Sequence, residues 1–174
     1  MGIFNNLFGK TKDAKFLAKM TLQYATNGNK SEADYWYEQA ADQGNSDGLR
    51  NRADNKKDLL LKRIRKPENE TIEEWAMKND ELYYEAEQNY YNALNASETD
   101  VMYSVTCYSL ANLYESFCEI YPDIEKAAYY YYEAYRSGGN NFALDRFNKI
   151  KVKYQLNVDP SDMDKWAKKL QIKE

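Results

Sequence analysis

Where this chain places its few helix breakers limits its fold more than any other feature. Only 7 glycines and 3 prolines occur in 174 residues. Gly28, Gly44, Pro67, Pro122, Gly138-Gly139 and Pro160 punctuate the sequence and divide it into long stretches with helical patterning. Proline inside a helix costs about 3 kcal/mol and glycine about 1 kcal/mol, so breakers placed this way favour helices between them. The polar run Asn95-Ala96-Ser97 supplies the one break without Gly or Pro. The reading is about eight helices, near 12–27, 31–43, 47–65, 71–95, 100–119, 123–137, 141–155 and 161–171. Thr71 with Glu74 forms a capping box at the fourth. Asp123 and Ser161, each just after a proline, are expected to cap the sixth and the eighth.

Apolar periodicity agrees. Tyr103, Cys107, Leu110, Tyr114 and Phe117 recur at steps of four and three, which is one helical face. Ile124, Ala127, Ala128, Tyr131, Ala134 and Tyr135 do the same in the next stretch. Short connections make neighbouring helices antiparallel. The spacing Ala-x3-Tyr-x2-Ala then appears three times, at Ala33/Tyr37/Ala40, Ala86/Tyr90/Ala93 and Ala127/Tyr131/Ala134. Small alanines let two helix backbones approach, and the aromatic ring fills the space beside them.

Those residues carry a resemblance. Glu32-Ala33-Asp34-Tyr35-Trp36-Tyr37-Glu38-Gln39-Ala40-Ala41-Asp42-Gln43-Gly44 resembles the second helix of a Sel-one-like repeat, a branch of the tetratricopeptide superfamily. Residues 110–138 resemble a complete copy, through Leu110-Ala111, Tyr114, Asp123, Lys126-Ala127, Tyr130-Tyr131, Ala134 and Gly138. Phe117 and Glu119 stand where the family has glycine, and Tyr130 where it has tryptophan. The resemblance implies an all-α fold: antiparallel hairpins stacked in a short right-handed α-solenoid over residues 1–174. Repeat-like units fall near 12–45, 47–95, 100–138 and 140–172, the last closing on a helix that carries Trp166. It also implies a protein–protein interaction module. The superfamily's groove register places Lys15, Ala18, Leu22 and Thr26 on the concave side of the first unit, and Val105, Tyr108, Asn112 and Glu115 on that of the third. By the 100° step per residue, Tyr108 and Asn112 point away from the core stripe of their helix and are not expected to pack within their own hairpin. Tyr129, opposite the alanine face, and Tyr35 in the same register are the alternative, convex binding residues.

Catalytic chemistry is thin. The chain has no histidine, which removes the commonest general base and metal ligand. It has no Gly-rich phosphate loop and no CxxC pair, so neither a cofactor, a metal nor an enzymatic role is expected. Cys107 and Cys118, eleven residues apart on one helix, are separated by about 16 Å along the axis, beyond disulfide reach. Charge is blocky: Arg50–Lys66 carries eight basic residues against two Asp, and Glu68–Asp100 ten acids against one Lys. The expected outcome is a hairpin whose helices neutralise each other; with a net charge of −4, nucleic acid is not an expected partner. No apolar run reaches the ~18 residues of a membrane span and no signal sequence opens the chain, so the expected location is the cytoplasm. Ile3, Phe4, Leu7 and Phe8 are expected to dock on the first helix pair, with an amphipathic membrane contact as the lesser alternative. Two functions follow: an adaptor that holds a peptide or partner domain, or a bacterial inhibitor or immunity-type protein that blocks a partner enzyme or toxin.

Overall fold

Helices begin where a short polar side chain takes up a free backbone N–H. A computed structural model describes residues 23, 26–64 and 70–172. Among them are seven helices and no strand: α1 (Lys30–Asp42), α2 (Ser46–Ile64), α3 (Ile72–Asn95), α4 (Asp100–Ser116), α5 (Ile124–Gly138), α6 (Asn141–Lys153) and α7 (Met163–Lys169). Eight were expected; most of the first, near 12–27, lies outside the described residues. So do the N-terminal apolar cluster and the candidate residues Lys15 and Leu22.

Asn29, Thr99 and Asn140 accept from Glu32 N, Met102 N and Ala143 N at the starts of α1, α4 and α6. The capping box of α3 forms in both directions: Thr71 Oγ1 accepts from Glu74 N (3.2 Å) and Glu74 Oε2 accepts from Thr71 N (3.0 Å). Two expected caps are corrected. Asp123 occupies the N-cap of α5 without capping it, because its carboxylate turns to Lys126 at 3.4 Å. At α7 the cap is Asp162, which accepts from Lys165 N, and not Ser161.

From α1 to α6 each helix packs on the next in chain order, α2 also touches α4, and α7 lies on α5. Polar contacts fix the directions. Along α2 and α3 they run from Ser46–Ala93 through Asp54–Tyr90 and Lys56–Glu85 to Arg63–Asn79, which is antiparallel. Along α4 and α5, Ser104 meets Ala134 and Glu115 meets Tyr131. One core runs from α2 to α7, and a small cluster of Ala41, Leu49 and Ala93 joins α1 to it.

The alanine–tyrosine spacing lies in these contacts. All six alanines of its three copies are buried, and so are Tyr90 and Tyr131. The carbonyl of the last alanine is used twice in the same way: Ser46 Oγ donates to Ala93 O (2.9 Å) and Ser104 Oγ to Ala134 O (2.6 Å). Ala127 packs at the heart of the densest helix pair. Ala127→Leu is therefore expected to lower stability by about 1–3 kcal/mol, read as a shift in the urea midpoint, whereas leucine at exposed Asn148 of α6 changes nothing measurable.

The tyrosine excess, 17 against 6 Phe, has a structural account. Burying a ring is favourable, but a buried hydroxyl needs a partner. Here the partners are carboxylates at the edge of the core. Tyr90 donates to Asp54 and Tyr114 to Glu87, both at 2.6 Å, Tyr131 to Glu115 at 2.8 Å, and Tyr121 to Asp80. Tyr83 differs: its ring stacks on Tyr121 at 3.8 Å, and its hydroxyl is buried with no protein partner. A bond to a charged acceptor contributes roughly 1.5–3 kcal/mol. Tyr90→Phe is thus expected to cost about 2 kcal/mol, while Tyr83→Phe removes an unpaired buried polar atom and leaves stability unchanged or higher. Paired denaturation curves of the two variants check this.

Four residues of the basic block form ion pairs. Arg52 pairs with Glu38 and Asp42 of α1, Lys56 with Glu85 of α3, and Arg50 and Lys57 with Asp54 of α2 itself. Cys107 is buried and Cys118 partly buried, and both are free thiols. No described helix is long and apolar enough to cross a membrane.

Candidate functional site

The candidate surface is one face of α4. Its opposite side is committed to the core through Cys107, Leu110, Ala111 and Tyr114. The outer face carries Val101, Val105, Tyr108, Asn112 and Glu115, at steps of four and three that keep them in one stripe. Val101 is 67% exposed and Val105 40%. This apolar end is open to solvent.

The polar end is tightly built. The Tyr108 ring meets that of Tyr131 edge-on at 5.4 Å. Tyr131 reaches out from α5 and donates its hydroxyl to Glu115 Oε2. The other carboxylate oxygen accepts from Arg146 of α6 at 2.5 Å. Asn112 sits at the same hydroxyl. Burial, then the Glu115 carboxylate, raise the Tyr131 hydroxyl above its ordinary value, so it remains a proton donor. Arg146 is held above its usual value chiefly by its hydrogen bond to Glu115. Three candidates, Tyr108, Asn112 and Glu115, are therefore brought together. Glu115 is spent on this network and presents no free carboxylate outward.

Two expectations change. Tyr108 does pack within its own hairpin, because the long Tyr131 side chain of α5 extends to the outer side of α4. Tyr129 is not a surface residue: it is 8% exposed, covered by Trp166 of α7 at 5.5 Å, and burial pushes its hydroxyl up to about 12. Tyr35 remains open, at 51%, with its ring edge-on to Trp36 at 5.2 Å.

Arg146, and Phe142 one turn before it at 80% exposure, are the additions that the sequence reading did not single out. Arg146 lies 31 residues from Glu115, and no local pattern joins the two.

Comparison with family models, with curated proteins and with solved structures finds no match to this chain. Among the described residues, no group of His, Cys, Asp or Glu is arranged to hold a metal ion.

Proposed function

We propose that this chain is a protein–protein interaction module: helix hairpins stacked as a short right-handed solenoid of the tetratricopeptide, Sel-one-like kind, with the α4 face holding a peptide or partner domain. Support for the stacking comes from chain-order packing, the α2–α4 contact and the repeated serine-to-alanine-carbonyl bond. A helix hairpin of this kind cannot bury its apolar face alone, so units stack.

The observation that carries the binding role is the α4 stripe, in which two exposed valines lead into a fixed polar cluster. Exposed valine pairs give an incoming side chain apolar area to cover. Half-buried Tyr108 adds an aromatic anchor already held by Tyr131, so little side-chain entropy is lost on binding. Asn112 offers an amide that donates and accepts, suited to fixing the register of a partner's main chain. Arg146 and Glu115 neutralise each other, so recognition here depends on shape and hydrogen bonding more than on charge.

Affinity purification of the tagged full chain followed by mass spectrometry tests the role. The expected result is one protein recovered in stoichiometric amount. If that protein is an enzyme or toxin whose activity the chain suppresses, the inhibitor or immunity form of the reading holds. If only abundant background proteins appear, with the chain folded, the interaction role fails.

A further inference from the structure

A second groove lies between α1 and α3, with α2 as its floor. One stretch, of about 670 Å³, is lined by Leu59, Leu82, Asn55, Gln88 and Asn89 among others. Asp42, Arg52 and Asn89 continue it into a stretch of about 600 Å³ edged by Asn92 and Asn95.

Its charges are already paired. Arg52 is held by Glu38 and Asp42, each at 2.6 Å, and Lys56 by Glu85 at 2.5 Å. A phosphate needs free cations, and both cations of this groove are taken; its three carboxylates, Glu38, Asp42 and Glu85, are each bound to one of them. Its amides are only half used. Asn89 Nδ2 donates to Glu85 O (2.7 Å), which leaves Asn89 Oδ1 open. Gln88 Nε2 donates to Asn92 Oδ1 (2.9 Å), which leaves Gln88 Oε1 and Asn92 Nδ2 open. Asn55 Nδ2 donates to Asn51 Oδ1 (3.2 Å), which leaves Asn55 Oδ1 open. The result is a row of neutral donors and acceptors above leucine side chains.

A polypeptide main chain has that same character, being uncharged and alternating N–H with C=O. Asn89, Asn92 and Asn95 are three residues apart and advance about 4.5 Å each along α3. Their row spans about 9 Å, the length of roughly three extended residues. We propose that this groove holds an extended, uncharged stretch of a partner polypeptide through its main chain, with small apolar side chains on Leu59 and Leu82. The site is separate from the α4 face and does not depend on it.

The probe is a phage-displayed library of random linear peptides, selected on the immobilised full chain, with enriched sequences synthesised and titrated by fluorescence anisotropy. Asn89→Ala with Asn92→Ala keeps the fold, since both positions are helical, reach solvent and favour alanine; circular dichroism verifies it. The expected result is that affinity falls about tenfold in this double variant, the loss of two main-chain hydrogen bonds. It also falls when the peptide's amides are N-methylated, and it is unchanged by Val105→Glu. No enriched peptide, full affinity in the folded double variant, or a loss seen only with Val105→Glu would each overturn the proposal.

Discussion

Raised above about pH 10, this protein is expected to unfold within one to two pH units. Free tyrosine loses its proton near 10. Tyr83, Tyr90, Tyr114, Tyr130 and Tyr131 are fully buried, and in each case burial is the largest cause that raises the hydroxyl above that value. Below pH 10 both states hold these protons, and the contribution to stability is complete. Above it the unfolded chain releases protons that the folded chain retains, so stability falls as pH rises toward the folded values. Each such tyrosine removes about 1.4 kcal/mol per pH unit, and five together about 7 kcal/mol per pH unit. A domain typically has about 5–15 kcal/mol in all, so the fold is lost between about pH 11 and 12. Tyrosinate absorbance and far-ultraviolet circular dichroism, followed together, check this. Besides the earlier ionisation of exposed tyrosines, the expected result is a steep rise of tyrosinate that coincides with the loss of the helical signal. Complete ionisation of all 17 tyrosines over an intact helical spectrum would show that these rings are solvated.

Gly48→Ala is expected to destabilise by about 2–3 kcal/mol, against the usual trend. Glycine to alanine inside a helix ordinarily gains about 1 kcal/mol. Gly48 lies where α2 crosses α1, and a methyl group there would come within 2.8 Å of both the Ala40 carbonyl carbon and the Tyr37 carbonyl oxygen. Those are main-chain atoms and cannot rotate away, so α1 must move off α2 as a unit. Overpacking of this kind costs about 1–3 kcal/mol even when side chains can adjust. The buried contacts of Ala41 and Leu49 open with it. Urea denaturation measures the effect. A variant as stable as the parent or more so would mean that α1 and α2 do not approach this closely.

What the sequence made legible was mostly local. The Thr71–Glu74 box is settled by four residues, and the buried stripe of α4 follows from a period of 3.6. The Ala-x3-Tyr-x2-Ala copies marked the buried alanines correctly because small residues at that spacing have one obvious use. Distant contacts were not legible. A helical wheel of α5 alone turns Tyr129 away from the alanine face; only the later chain brings Trp166 over it. The wheel of α4 likewise sets Tyr108 and Asn112 outward, which holds for their direction. It could not show that Tyr131 reaches around to meet them, nor that Arg146 closes the network. Asp123 failed as a cap because a competing cation, Lys126, stands one turn away. The basic and acidic blocks predicted pairing across a hairpin, and Lys56–Glu85 is such a pair; the larger share taken by α1 through Arg52 had no sequence signal.

Binding of a protein partner by the proposed α4 face is tested by the affinity of that partner for Val101→Glu with Val105→Glu. Both valines reach solvent, so the charges leave the fold intact while they oppose burial of the stripe. The measurement is an isothermal titration of the co-purified partner into parent and variant, with thermal midpoints taken in parallel. The expected result is an unchanged midpoint and an affinity lower by at least about 30-fold, the scale of an interface hot spot of about 2 kcal/mol. Parental affinity in the folded variant would contradict it and remove the α4 face from the binding surface.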